Sequence, residues 1–146
     1  MSAALSHDFD ELRELYQRTL MERARAPRHA RRLDVFDASA RADNAACGDH
    51  CTVFVRTEPG RVTSIGFEAR GCAISIASAD LMAELVASRS HDEIRDLAAG
   101  LRDMVDGGPI SAAALAPLSG VAEYPSRKAC ATLPWDALAA ALEARQ

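Results

Sequence analysis

Cys47-Gly48-Asp49-His50-Cys51-Thr52-Val53-Phe54-Val55-Arg56-Thr57-Glu58-Pro59-Gly60-Arg61-Val62-Thr63-Ser64-Ile65-Gly66-Phe67-Glu68-Ala69-Arg70-Gly71-Cys72 is the stretch whose pattern decides the fold. Thr52 to Arg56 alternates, Glu58-Pro59-Gly60 supplies a turn, and Val62 to Glu68 reads as a returning strand. The segment therefore predicts an antiparallel hairpin. A hairpin brings its two ends together, and these ends carry Cys47 with Asp49 on one side and Cys72 on the other. Past Gly71-Cys72 the period changes. Ile74, Ala77, Leu81 and Leu85 form the apolar stripe of a helix.

Outward from the hairpin, the remaining elements follow from local signals. Asp8-Phe9-Asp10-Glu11 has the form of a capping box with Asp8 as N-cap. It opens an amphipathic helix through Leu12, Leu15, Tyr16 and Leu20 that Pro27 closes. Arg28 to Ala46 is polar and aperiodic and predicts a long surface connection. Ser90-His91-Asp92-Glu93 is a second capping box, leading a helix through Ile94, Leu97, Ala98, Leu101 and Val105 to Gly107-Gly108. Pro109 to Gly120 predicts a short helix with loops. Pro134 is placed as the first residue of a last helix with Trp135, Leu138 and Leu142 on its apolar stripe. The expected class is α+β, one domain over residues 1–146. It comprises an N-terminal helix, a small antiparallel sheet of about three strands, and C-terminal helices on one face.

Composition narrows the function. A net charge of −4 lacks the basic surface of a nucleic-acid binder. Four Phe, two Tyr and one Trp leave little for base-stacking platforms. Met1-Ser2-Ala3-Ala4-Leu5 shows no basic region ahead of an apolar core, and no apolar run approaches a membrane span, so a cytoplasmic location is expected. In that compartment four cysteines point to metal or catalysis more than to disulfides.

Cys47, Asp49, Cys72 and Cys130 are the candidate site. Three thiols and a carboxylate suit a tetrahedral zinc site, or one that carries sulfur or iron–sulfur chemistry. Cys72 begins a helix, where amide donors and the helix dipole favour the thiolate. Cys47 sits between Ala46 and Gly48 in a loop, a setting that suits a ligand able to leave. If the strand has begun by residue 49, Cys47 and Asp49 project to the same side. Cys130 precedes the last helix, so a metal held there would tie the C-terminal helices to the hairpin. A free cysteine is commonly just a small buried hydrophobe, and Cys51 at the start of the strand is read that way. His50 alternates away from Asp49 and is read as a solvated strand residue. His7, His29 and His91 have no partner motif. The run Arg23, Arg25, Arg28, Arg31 and Arg32 is read as a solvated face near a helix C-terminus rather than a dock for an acidic partner.

Three blocks carry a family resemblance. Asn44-Ala45-Ala46-Cys47-Gly48-Asp49 resembles the Asn-Pro-x-Cys-Gly-Asp opening of the NifU/IscU/SufU iron–sulfur cluster assembly proteins. Gly71-Cys72-Ala73-Ile74-Ser75-Ile76-Ala77-Ser78-Ala79 resembles their Gly-Cys-Ala-Ile-Ser-x-Ala-Ser block. Arg127-Lys128-Ala129-Cys130-Ala131-Thr132-Leu133-Pro134-Trp135 is similar to the ending Arg-x-Lys-Cys-Ala-x-Leu-x-Trp of the SufU branch. The long segment between Cys72 and Cys130 also favours SufU, since IscU scaffolds have a shorter one and a His where Ala129 stands. Two departures stand out: Lys128 is one position further from Cys130 than the SufU lysine, and Cys51 is additional.

The resemblance implies a NifU-N/SufU-like domain that binds Zn2+ through Cys47, Asp49, Cys72 and Cys130. It implies a zinc-dependent sulfurtransferase partnering a SufS-like, pyridoxal-phosphate-dependent cysteine desulfurase. In SufU systems the desulfurase displaces Cys47 from the metal with a side chain of its own, and the freed Cys47 thiolate accepts the persulfide sulfur. The alternatives are a scaffold on which the same ligands assemble a [2Fe-2S] cluster, and a structural zinc domain without sulfur traffic.

Overall fold

A computed structural model of the chain describes residues 3–144. The element order is α1 (Ala3–Arg25), β1 (Ala38–Asn44), β2 (Asp49–Glu58), β3 (Arg61–Arg70), α2 (Ala73–Val86) and α3 (His91–Val105). Two 3-10 segments, Ala113–Glu123 and Pro125–Arg127, then lead into α4 (Lys128–Glu143). The expected α+β class holds, with three antiparallel strands in the order β1-β2-β3.

The hairpin is longer than its alternating centre, because β2 starts at Asp49 rather than Thr52. Register places Val53 opposite Phe67 and Val55 opposite Ile65, so one face of the sheet presents Cys51, Val53, Val55, Ile65 and Phe67 to the core beneath α2 and α4. Cys51 is fully buried there, as its position in the strand predicts. Burying a side chain such as Phe67 contributes about 1.5–3 kcal/mol.

Part of the expected connection Arg28–Ala46 is in fact β1, paired with β2 from Ala38 opposite Val55 to Asn44 opposite Asp49. Its sequence, Ala-Ser-Ala-Arg-Ala-Asp-Asn, has no large apolar residue, so the alternation that marks β2 is missing. Small alanines suffice because α4 packs closely against this strand. The preceding residues cross the opposite face of the sheet. Phe36 meets Phe54 edge-on at 5.1 Å, and the Arg32 guanidinium lies 5.4 Å from the Phe54 ring centroid. Gly66 makes that crossing possible, since a Cβ there would stand 2.3 Å from the Arg31 carbonyl oxygen.

α1 begins at Ala3, so Asp8 is not its N-cap; the side chains of His7 and Asp8 lie outside the described ones. The apolar stripe of α1 is only partly covered. Leu12 and Leu15 remain exposed, and the helix forms one wall of an open groove of about 740 Å³ shared with Ile74, Val121 and Tyr124. Within the arginine run, Arg25, Arg28, Arg31 and Arg32 are exposed as a solvated face requires, and Arg23 departs from it. Arg23 Nη1 donates to Asp80 Oδ2 at 2.7 Å, and the amides of Arg28 and His29 both donate to Asp80 Oδ1 at 2.8 Å. Asp80 is fully buried on α2, so it clamps the end of α1 to the body of the protein.

The capping box at Ser90 forms as read, with Glu93 N–H donating to the Ser90 hydroxyl and the Glu93 side chain accepting from the Ser90 N–H. The last helix does not start at Pro134. α4 begins at Lys128, placing Cys130 in its first turn and Pro134 inside the helix. Proline there removes one intrahelical donor, the N–H that would otherwise reach the carbonyl of Cys130. That carbonyl is supplied from α2 instead, by the Ser75 hydroxyl at 3.0 Å. Trp135, Leu138 and Leu142 are buried as the stripe predicts.

Candidate metal centre

Four side chains from three regions meet where β2, α2 and α4 converge. Cys47 lies in the turn between β1 and β2 and is exposed, followed by Gly48 in the left-handed region at φ +71°. Asp49 opens β2 and is buried at 2% exposure. Cys72 is the residue before the first turn of α2 and is partly exposed, while Cys130 is fully buried. The ligand-capable atoms of Cys47, Asp49 and Cys130 lie within 4.8 Å of one another. Cys72 stands beside them: its thiol interacts with that of Cys130, and its Sγ lies 3.9 Å from the Ser75 hydroxyl.

Asp49 is held on both oxygens. The Cys72 N–H donates to Oδ1 at 2.9 Å and the Ser75 hydroxyl reaches Oδ2 at 3.0 Å. Burial pushes the carboxyl up, but donors from Cys130, Cys72 and Ser75 outweigh it and hold it below the usual carboxylate range. Because α2 has no cap from Cys72's own side chain, Asp49 serves its N-terminus from another strand. Cys130 is perturbed the other way. Burial first, then the hydrogen bonds to Asp49 and Cys72 and the charges nearby, push its thiol far above the ordinary value. Two thiols and a carboxylate within 4.8 Å, with the Cys72 thiol beside them, cannot all be anionic without a cation among them. A divalent, thiolate-accepting ion is the chemistry that resolves the crowding, and the residues fit it.

Gly71 shapes the site by lacking a side chain. Its φ of +136° is costly for other residues, and an added Cβ would stand 2.0 Å from Asp49 Oδ1. Gly71→Ala is expected to destabilise the protein by about 1–3 kcal/mol from the backbone alone and to displace the carboxylate. Urea unfolding checks this; an unchanged midpoint would contradict it.

Cys51 points into the core below Asp49, where burial pushes its thiol up to about 12. It is not among the clustered ligand atoms. His50 is half-buried, with Nδ1 lacking a partner, so it is less solvated than its alternation predicts. Two contributors carried no role in the sequence reading. Arg127, exposed at the start of α4, hydrogen-bonds the Cys130 side chain and also feels the charges of Cys72 and Cys47, which raises its pKa. Ser75 is the other. A signal for it existed: a serine three residues after Cys72 falls on the same helix face, amid apolar neighbours.

A small sheet flanked by helices, with cysteines and an aspartate at the meeting of a strand start and two helix starts, defines a class of metal-capable α+β domains. Residues 15–144 match the NifU-like N terminal domain model, and the chain belongs to that NifU/IscU/SufU family. It is 32% identical over 139 residues to the iron–sulfur cluster assembly scaffold protein IscU of Streptococcus pyogenes serotype M1, covering 91% of this chain and 86% of that protein. It is 30% identical over 130 residues to the zinc-dependent sulfurtransferase SufU of Bacillus subtilis, covering 85% and 86% respectively. The crystal structure of a nitrogen-fixing NifU-like protein (N-terminal) from Brucella abortus superposes with a TM-score of 0.80 at 26% identity, covering 90% of this chain and 94% of that one. No helix among the described residues is long and apolar enough to cross a membrane.

Proposed function

We propose that this chain is a zinc-dependent sulfurtransferase of iron–sulfur cluster assembly, accepting persulfide sulfur from a cysteine desulfurase. Cys47, Asp49, Cys72 and Cys130 are the zinc ligands in this reading, and Cys47 is the acceptor. The observation that carries it is the contrast within the cluster: Cys130 and Asp49 are buried, whereas Cys47 is exposed in a turn. Only a ligand at the surface can meet a sulfur donor on another protein. Bound zinc supplies a masked thiolate near neutral pH.

In the transfer, the Cys47 thiolate attacks the outer sulfur of the desulfurase's persulfide. A new S–S bond forms on Cys47, and the bond to the donor cysteine breaks, returning that cysteine as a thiolate. The sulfur moves without net oxidation, so no further oxidant is needed. Arg127, close to Cys130 and within the field of Cys47 and Cys72, offsets negative charge as the sulfur arrives.

The second reading is a scaffold that builds a [2Fe-2S] cluster on the same residues, and it is favoured by the Streptococcus relative being a cluster assembly scaffold protein. Identity near 30% to both kinds of relative does not separate the two. The residue before Cys130 weighs against the scaffold, because exposed Ala129 offers no ligand atom. Purified protein is expected to hold about one zinc per chain, since four ligands fill a tetrahedral site. With a desulfurase, cysteine and a reductant, it should raise sulfide release at catalytic ratios. Unchanged desulfurase turnover, together with a stable coloured cluster formed on adding iron, would overturn the transfer reading.

A further inference from the structure

We propose that Ser75 is the positioning residue of the metal centre, its single hydroxyl proton shared between the Asp49 carboxylate and the first turn of α4. This rests on the reading of Cys47, Asp49, Cys72 and Cys130 as metal ligands. Ser75 is fully buried in the first turn of α2, yet its hydroxyl caps nothing in its own helix. It lies 3.0 Å from Asp49 Oδ2, 3.0 Å from the Cys130 carbonyl oxygen and 3.9 Å from Cys72 Sγ. One side chain thus touches three of the four ligand residues, each brought in by a different element.

A serine hydroxyl has one proton, so it donates to one of these two acceptors at a time. Both need it. The Cys130 carbonyl has no donor four residues on, because Pro134 stands there, and Asp49 Oδ2 is buried beside it. With a cation held at Asp49, the carboxylate would be a weaker acceptor for the Ser75 hydroxyl. The Ser75 proton then turns to the Cys130 carbonyl and fixes the turn that carries the Cys130 thiol. Loss of the cation returns the proton to Asp49, which it holds in place for reloading. Outer-sphere partners of this kind orient ligands, and removing them typically costs 10–100-fold in metal affinity.

Ser78 supplies an internal control. It is equally buried, one turn further along α2, and donates to the neighbouring Ala131 carbonyl at 2.6 Å with no bond to Asp49. Zinc affinity should be measured by competition with a chromophoric chelator on the full chain. Ser75→Ala is expected to weaken zinc binding by about 10–100-fold, with Ser75→Thr recovering most of it. Ser78→Ala should lower the melting temperature by roughly 2–8 °C while leaving zinc affinity unchanged. Ser75→Val against Ser75→Thr repeats the comparison at matched volume should the alanine variant fail to fold. Wild-type affinity in Ser75→Ala or Ser75→Val, or an equal loss in Ser78→Ala, would overturn the assignment. On metal-free protein, a double-mutant cycle of Ser75→Ala with Asp49→Asn should show non-additive melting shifts. Additive shifts with zinc-binding wild type sink the Ser75 role alone; coupled shifts in a wild type that takes up no zinc sink the metal reading instead.

Discussion

Cys47→Ala is expected to reduce stimulated sulfide release to the level of the desulfurase alone. The substitution removes the nucleophile itself, and two of the other thiols are poor substitutes: Cys130 is fully buried, and burial pushes the Cys51 thiol up to about 12. In metal-free protein the fold should be nearly untouched, within about 0.5 kcal/mol, because Cys47 is exposed in a turn and is not part of the hydrophobic core. Activity assays paired with thermal melts read both halves. Residual stimulation comparable to wild type would place the acceptor elsewhere, with Cys72, the partly exposed thiol, as the next residue to test.

Asp80→Ala is expected to cost the most stability of any single change at a polar position. The carboxylate is fully buried and accepts from the Arg23 guanidinium and two backbone amides. Its removal leaves Arg23, whose side chain is only 11% exposed, with Glu84 as its remaining partner, and leaves both amides without their acceptor. Breaking a buried pair from one side costs about 3–5 kcal/mol, and about 2–4 °C per kcal/mol at this chain length makes the melting shift roughly 6–20 °C. Glu84 also contacts Arg23 but is half-exposed, so Glu84→Ala should cost far less. Equal losses in the two variants would refute the distinction.

Much of the fold was legible because its signals are local. The β2–β3 alternation, the capping box at Ser90 and the stripes of α2 and α3 each depend on neighbours a few residues apart. A sheet of about three strands was expected, but β1 was not located because its alanines carry no hydrophobic contrast; their small size matters only once α4 is packed on them. The start of α4 was misplaced because Pro134 looks like a helix beginning. It is tolerated six residues further in, since the Ser75 hydroxyl lies within hydrogen-bond reach of the carbonyl it orphans. Arg23 was misjudged for a related reason: nothing near it in sequence announces Asp80. The site's cysteines and aspartate were nominated by residue type and family resemblance. Ser75, Gly71 and Arg127 emerged only from which atoms approach which.

The Asp80 clamp also bears on the order in which the chain assembles. Its partners Arg23, Arg28 and His29 lie 57, 52 and 51 positions away in sequence, whereas β2 and β3 meet across a two-residue turn. Short loops close at low entropic cost and long ones wait for the surface they dock on. α1 therefore leaves the ribosome before α2 but is anchored only after α2 has formed. For the same reason it can detach without unpairing the sheet, as a separate cooperative unit in native-state hydrogen exchange.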